Sequence, residues 1–380
     1  MPELIDAETA AFLRRTRHWL VNGKRDGYKL KKLTVGRSIQ AASVELKALW
    51  LALFHDNQSC WESRNIWFRV GADPNAAVPP HLAWIYKEAE AVVSYDATAW
   101  DRYMPTTLIH HAIEVLGKTA PGLNDSVKRH LEETIASGVL WFTDGDRFIK
   151  RRGNPSGHPM TLRLNCSVNL IVWLYVLLKA ETIFDPVDLS WRPYSVPELR
   201  EMLLNFEIFP EFCGDDVRLI VRRTPQTEPL IRCMCVAHKT EGGVDALHLA
   251  LSDFPWEQKL EGFWTRNERV PLEQDLLGFP SFVSRNLVCY KGFLWTIPAN
   301  TSRTVRKLMF DTDRTPEQEQ ELVEIFNIQL AWVDWLDFAG LFHDPAIREL
   351  RRHPLWKASV TMNTVGQYMK HAFFRAPDPD

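Results

Sequence analysis

Apolar positions recur along this chain with two periods, and each change of period marks an element. Leu4, Ile5, Phe12, Trp19 and Leu20 share one side of a helical wheel, which predicts an amphipathic helix over residues 3–22. Ser43 to Phe54 predicts a strong helix, and His81 to Glu90 a short one after the breakers Asp73-Pro74 and Val78-Pro79-Pro80. Ala91 to Tyr95 is a β-prone run that ends at Asp96. Helices are expected at Thr106–Leu116 and Asn124–Gly138.

The turn Thr143-Asp144-Gly145-Asp146 lies between Leu140-Trp141-Phe142 and Arg147-Phe148-Ile149, which predicts a hairpin. Met160 to Ala180 has few polar interruptions and predicts one long, buried helix. After a helix near Val196–Phe206, two β-prone runs (Ile208, Phe209, Phe212, then Val217, Leu219, Ile220, Val221) meet at Gly214-Asp215-Asp216, a hairpin signature. Ile231–Lys239 reads as a strand, Ala246–Asp253 as a helix and Phe282–Trp295 as a hairpin. Past Pro298 the chain turns helical. There Thr315-Pro316-Glu317-Gln318 places a capping Thr, a first-turn Pro and a box-closing Gln before Leu322, Val323, Phe326 and Leu330.

With 380 residues the chain exceeds one ordinary domain, yet it shows no internal repeat and no low-complexity linker, so its parts are expected to be subdomains of one body. Hydrophobic content of 46% and charged content of 24% are those of a globular protein with a sizeable core. The formal net charge of −3 argues against a polyanion binder, but its distribution argues for one. Arg14 to Arg37 holds nine Lys and Arg residues against the single Asp26. Six Cys lack any Cys-x-x-Cys or zinc-like His spacing and read as reduced thiols. No signal-peptide pattern opens the sequence, and the apolar run Leu170–Leu178 is too short to span a bilayer, so no intrinsic membrane segment is expected.

Three stretches carry candidate chemistry. Two adjacent carboxylates at the Gly214-Asp215-Asp216 tip repel one another unless a cation sits between them. By itself this is a common surface turn. Ser94-Tyr-Asp96-Ala-Thr-Ala-Trp-Asp101 puts one carboxylate after a strand and a second five residues on, a pattern that strand ends and helix caps also produce. Arg151-Arg-Gly153-Asn-Pro-Ser156-Gly157-His-Pro-Met-Thr161-Leu-Arg-Leu-Asn165 feeds a Gly-rich loop into the long helix, with Thr161 and Asn165 on one face. A capped core helix with two satisfied polar residues is the plainer account of that stretch.

In this order and spacing the three stretches resemble palm motifs A, B and C of viral RNA-dependent RNA polymerases. The likeness is greatest to the picornavirus-like group, whose motif B runs Gly-x-Pro-Ser-Gly-x-x-x-Thr-x-x-x-Asn, with every fixed position present here. Lys31-Lys32-Leu-Thr-Val-Gly-Arg37-Ser-Ile39 resembles motif F, although Val35 stands where a Lys is usual. Phe282-Val-Ser-Arg285 resembles motif E. Motif D is poorly marked, with Lys259 the better candidate for its lysine and Lys239 the second. Cys213 stands where many relatives have Tyr.

The resemblance implies an α+β, right-hand polymerase of fingers, palm and thumb, with a central antiparallel palm sheet flanked by helices and a helical thumb. The implied division is fingers 1–90, palm motif A 91–125, a fingers insertion 126–155, palm motifs B to E 156–297, and thumb 298–380. It implies template-directed RNA synthesis from NTPs, with Asp96 and Asp215 bridging two Mg²⁺ ions (Mn²⁺ as an alternative) and Asp216 supporting. Asp101 and Asn165 would read the ribose 2′-hydroxyl with Ser156 or Thr161 assisting, and Gly153 and Gly157 would let the loop come close to template and nucleotide. Arg37 with Lys31 or Lys32 would clamp the triphosphate, Lys259 would protonate pyrophosphate, and Arg285 with Arg303, Arg306 and Lys307 would hold RNA phosphates.

Implied partners are template and primer RNA, NTPs and other viral replication proteins, in host cytoplasm at membrane-associated complexes reached through those partners. Relatives carry a longer fingertip region before motif F, which leaves a truncated or non-catalytic palm-like RNA-binding module as the alternative. A reverse transcriptase shares the acidic palm, but the intact Ser156-Gly157, Thr161, Asn165 and Asp101 set counts against it.

Overall fold

The computed structural model describes residues 18–23, 38–64, 67–69, 78, 80–118, 123–142, 144–187, 189–239, 246–290, 293–299 and 315–318. The described strands are β1 (His18–Gly23), β2 (Ser38–Ala42), β3 (Ala89–Ala97), β4 (Val139–Phe142), β5 (Arg147–Ile149), β6 (Ile183–Asp185), β7 (Ser190–Arg192), β8 (Ile208–Cys213), β9 (Asp216–Arg222), β10 (Gln258–Thr265), β11 (Arg285–Tyr290) and β12 (Phe293–Pro298). The chain divides into two compact units, residues 1–72 with 93–261, and residues 73–92 with 262–380. β3 and β10 each run from one unit into the other.

The first unit holds a sheet of order β2-β1-β4-β5. Here the expectation of a helix over residues 3–22 is corrected at its end, since His18–Gly23 is a strand, and residues 3–17 lie outside the described residues. Trp19 and Val21 are buried while Leu20 is exposed, an alternation that a strand satisfies and a helix does not. β1 runs antiparallel to β2 and parallel to β4, with Trp19 opposite Ala42 and Leu140. The Trp19 indole donates to Thr134 O at 3.0 Å, so its one polar atom is satisfied inside the core. β4 and β5 form the expected hairpin.

The second sheet has the order β10-β3-β9-β8. β8 and β9 are antiparallel with Cys213 opposite Asp216, which makes Gly214-Asp215 the turn. Gly214 adopts φ +71, a left-handed value that glycine tolerates best. Thr98 N donates to Glu257 O at 2.9 Å at one end of β3, and Arg266 N to Glu90 O at 2.9 Å at the other, so β10 lies antiparallel to β3. On the far edge, Phe68 bridges to Phe212 in parallel, with Arg69 N donating to Phe212 O at 2.9 Å.

The helix Thr161–Lys179 covers this sheet, burying Leu164, Val168, Val172 and Trp173 among others. It contacts β8 and the helix Thr106–Gly117, which in turn contacts the helix Asp125–Ser137. As a whole this helix is long and apolar enough to cross a membrane, which the apolar run 170–178 alone is not. With 61% of its apolar window buried in protein, it reads as a core helix. The helices Val44–Arg64, Pro80–Lys87, Val196–Leu204 and Ala246–Leu251 stand at the expected places, although the first runs on from Phe54 to Arg64 and the second gives way to β3 at Ala89. Ser43 caps the first of these through Leu46 N at 3.1 Å, and Ser195 closes a capping box with Glu198 on the third.

Glu228–Lys239 is a helix, against the expected strand at Ile231–Lys239. Leu230, Ile231 and Met234 are buried, a helical spacing, and Thr227 at its start is fully buried and bonded to Thr224. The hairpin β6/β7 and the edge strand β10 were not anticipated.

In the second unit, β11 and β12 form the expected hairpin, with Arg285 opposite Pro298. Arg266 donates to Ala89 O at 2.9 Å and to Lys87 O, and Trp264 packs against Phe279. Thr315 and Gln318 form the expected reciprocal cap. The rest of the expected helical thumb lies outside the described residues.

Candidate active site

Four elements bring the sequence-predicted acids and amides to one end of the second sheet. Asp96 sits near the end of β3, and Asp215 and Asp216 sit at the β8–β9 turn on the neighbouring strand pair. Each of these carboxylates is half-buried. Burial pushes the Asp216 carboxyl up to about 7, and the negative charges of Asp215, Asp96 and Glu261 add to that push. Every charge bearing on it is therefore a carboxylate. Among the described residues no three His, Cys, Asp or Glu side chains converge into a ready-made metal cage. Asp215, Asp96 and Glu261 lie close enough to Asp216 to disfavour its charged form.

The turn itself is held by the long helix. Asn169 Nδ2 donates to Gly214 O at 3.2 Å and to Asp215 O at 3.1 Å, and Gly214 N donates to Cys166 Sγ at 3.2 Å. Asn169 lies four residues after Asn165 and eight after Thr161, so the three make one polar stripe on an apolar helix. That spacing was available in the sequence, and Asn169 was missed. Burial pushes the Cys166 thiol up, and pushes Cys213 up to about 12 with help from Asp216 and Asp215. Both thiols are therefore neutral near pH 7.

Behind the turn, Glu211 is almost fully buried between two arginines. Its Oε1 accepts from Arg69 Nε at 2.7 Å and its Oε2 from Arg218 Nε at 2.7 Å. Arg218 is its cross-strand neighbour on β9, so the cluster clamps the hairpin and ties residues 67–69 to it.

The Gly-rich loop is a second polar cluster. Asn165 Nδ2 donates to Asp101 Oδ1 at 3.1 Å, and Asn154 Nδ2 to Asn165 Oδ1 at 2.6 Å. His158 Nε2 lies 3.1 Å from Asn154 Oδ1, and burial, aided by the charge of Lys150, lowers the His158 pKa to about 3. A neutral imidazole with its proton on Nε2 completes a row from His158 through Asn154 and Asn165 to Asp101. The Thr161 hydroxyl faces the loop backbone, within 2.9 Å of Pro155 O and 2.8 Å of His158 O, and accepts from His158 N at 3.2 Å. Ser156 is exposed at the tip.

Both loop glycines are required by close approach. Gly153 has φ +88, and a Cβ there would meet Asp101 O at 2.4 Å; at Gly157 it would meet Gln40 O at 2.4 Å. Gly157 also bridges to Ala41, which docks the loop on β2.

Lys259 is exposed on β10, and the antiparallel register places it within a residue of the position opposite Asp96. Arg285 is half-buried in the second unit, after a tight turn in which Val283 and Ser284 both have positive φ. Lys31, Lys32, Arg37, Arg303, Arg306 and Lys307 lie outside the described residues, as does the side chain of Lys239.

A sequence model of the family described as viral RNA-dependent RNA polymerase matches residues 42–192, which takes in the Asp96–Asp101 stretch and the Gly-rich loop. The genome polyproteins of Bovine enteric calicivirus Newbury agent-1 and Bovine enteric calicivirus NB are each 28% identical over 107 residues. That match takes in 28% of this chain and 5% of the polyproteins, so the chain corresponds to a small part of the curated relatives it matches. Among solved structures, the sicinivirus 3Dpol RNA-dependent RNA polymerase is similar with a TM-score of 0.59 at 15% identity, over 97% of this chain and 67% of that one. The family match and the backbone agree: this chain resembles the viral RNA-dependent RNA polymerases over residues 42–192 and carries their α+β fold.

Proposed function

We propose that the chain is the catalytic part of an RNA-dependent RNA polymerase that extends an RNA strand from nucleoside triphosphates. The observation that carries this reading is that one helix, Thr161–Lys179, holds both the Gly214-Asp215-Asp216 turn and the Asp101–Asn165 pair. In the reaction the 3′-hydroxyl oxygen of the growing strand bonds to the α-phosphorus, the hydroxyl proton leaves, and the bond to pyrophosphate breaks.

Asp96 and Asp215, with Asp216 supporting, offer the oxygen donors that hard divalent cations prefer, and their mutual repulsion is what such a cation relieves. The chemistry supplied by two divalent cations held there, Mg²⁺ or Mn²⁺, is activation of the 3′-hydroxyl and neutralisation of the leaving pyrophosphate.

The Asp101–Asn165 pair gives the nucleotide site hydrogen-bonding groups for a ribose 2′-hydroxyl, and a site built to bond a hydroxyl strongly penalises a sugar that lacks it. The Thr161 hydroxyl is engaged with the loop backbone, so exposed Ser156 is the better assistant. Arg37 with Lys31 or Lys32 clamps the triphosphate, and Arg285 holds RNA phosphates. Lys259, beside the Asp96 strand, protonates the leaving pyrophosphate. An unchanged solvent isotope effect in Lys259→Leu would count against that role.

Residues 1–90 and 126–155 form the fingers, 91–125 and 156–297 the palm, and 298–380 the thumb. The parallel pairing of β1 with β4 supports joining the first two of these segments. The working partners are template and primer RNA, NTPs and other viral replication proteins. Those proteins place the polymerase at membrane-associated complexes in host cytoplasm.

Primer extension on a short RNA primer–template with Mg²⁺ tests the reading, using NTPs or dNTPs and Asp215→Ala beside the wild type. Extension with NTPs alone, lost in the variant, supports it. RNA binding without extension points to an accessory palm, and extension with dNTPs alone sinks the reading.

A further inference from the structure

Beneath the Gly-rich loop lies a buried ammonium that the proposed reaction does not use. Lys150 follows the exposed strand β5, yet is only 5% exposed itself. Its backbone N–H donates to Gly138 O at 2.9 Å, and its Nζ donates to Ile135 O and to Gly153 O. Ile135 O is among the last carbonyls of the helix Asp125–Ser137, where acceptors lack intrahelical donors and the helix dipole is negative. Gly153 opens the loop, with its N–H on Met104 O at 2.8 Å. One ammonium thus ties a helix end to the first residue of the loop.

Capping alone does not account for a buried charge. Lysine stems ordinarily carry their heads out to water, and a cation taken into the interior is costly unless paired. Burial lowers the Lys150 pKa to about 7, and the negative charge of Asp101 opposes that shift. The constraint continues beyond Gly153. Asn154 N donates to Asp101 O at 2.8 Å, and the Asn154 side chain holds Asn165, which holds the Asp101 carboxylate. Lys150 therefore acts on Asp101 through the loop and, in its protonated form, also through its charge.

We propose that Lys150 is a positioning residue for sugar selection: it fixes the start of the loop and the Asp101 carboxylate, so that the Asp101–Asn165 pair is set for a ribose 2′-hydroxyl before the nucleotide arrives. The proposal rests on the polymerase reading. A neutral side chain at this position can still cap the helix, but it cannot hold Asp101 electrostatically.

Binding of ATP and of 2′-deoxyATP to the protein on an RNA primer–template, measured by fluorescence titration, tests this, with thermal unfolding as the check on folding. Lys150→Gln keeps an N–H donor for the carbonyls and removes the charge, whereas Lys150→Arg keeps the charge. The Gln variant is expected to lose about tenfold in preference for ATP, by weaker ATP binding with 2′-deoxyATP little changed, and the Arg variant to keep most of the preference. In an Asp101→Asn background the Gln substitution is expected to add nothing.

Equal weakening of both nucleotides would mark Lys150 as merely structural and overturn the proposal, as would a Gln variant that discriminates like the wild type. A wild type that binds both nucleotides equally overturns the polymerase reading and the proposal together. Should the Gln variant fail to fold, the Arg variant decides: a kept preference supports the proposal and a lost one overturns it.

Discussion

The two polar regions held by the helix Thr161–Lys179 solve the problem of buried charge in opposite ways. At the Gly214–Asp216 turn, Asn169 and Cys166 hold backbone atoms of Gly214 and Asp215, while burial and the charges of Asp215, Asp96 and Glu261 push the Asp216 carboxyl up. At the Gly153–Thr161 loop the side chains close on each other in a row, from His158 to Asp101. On the proposed reading the first region receives a cation, and the second is already held by its own hydrogen bonds. A catalyst of phosphoryl transfer needs both, because charge must be met at the reacting atoms and the substrate must already be in place.

The largest stability effect is expected just behind the turn, where the hairpin does pair its charge. Glu211→Ala leaves Arg69 and Arg218 without their shared carboxylate and should cost about 3–5 kcal/mol in denaturant unfolding. A loss below about 1 kcal/mol would show the cluster behaving as an exposed ion pair and would weaken the contrast with the tip.

Next comes Asp216, whose carboxyl is raised from 3.8 to about 7. The folded protein holds that proton more tightly than the unfolded chain. The stability it contributes is full below pH 3.8 and is lost as pH rises through about 7, by at most roughly 4 kcal/mol. Asp216→Asn should remove that loss, so the variant gains on the wild type across this window. Added Mg²⁺ should raise the wild-type Tm more at about pH 8 than at about pH 6, since only the charged carboxylate attracts it. A gain independent of pH would break the idea that the tip waits for a cation.

Much of this arrangement was legible in the sequence, for identifiable reasons. The long helix, the Gly-Asp-Asp hairpin and the capped helices each announce themselves through local rules of periodicity, turn chemistry and capping, and they stand where expected. His18–Gly23 was misread because Trp19 and Leu20 satisfy a helical wheel as well as a strand, and only pairing with β2 and β4 decides between them. Glu228–Lys239 was misread because its β-branched and Cys residues hide a helical spacing. In the site, the acids and amides proposed to meet substrate follow a pattern. Asn154, His158, Lys150, Arg69 and Glu211 do not, because their roles depend on neighbours up to 142 residues away in sequence.

The loop should answer to pH in the sense opposite to the tip. Burial first, and the Lys150 charge second, hold the His158 pKa down from 6.5 to about 3. Its contribution is present above pH 6.5 and is lost as pH falls through about 3, because the unfolded chain takes up the proton first. His158→Gln should therefore flatten the acid limb of the stability curve and leave the limb through about pH 7 to Asp216.

The smallest effect expected is that of Thr161→Val, which preserves shape but leaves His158 N–H without the hydroxyl it bonds at 3.2 Å. The cost in thermal unfolding should be about 1 kcal/mol, with extension by NTPs reduced less than tenfold. A far larger fall in extension at the same small stability cost would move Thr161 from the loop's internal support to the nucleotide itself. The loop's hydroxyl would then face outward during the reaction, and the rigid half of the comparison would have to give up one of its members to the site that waits.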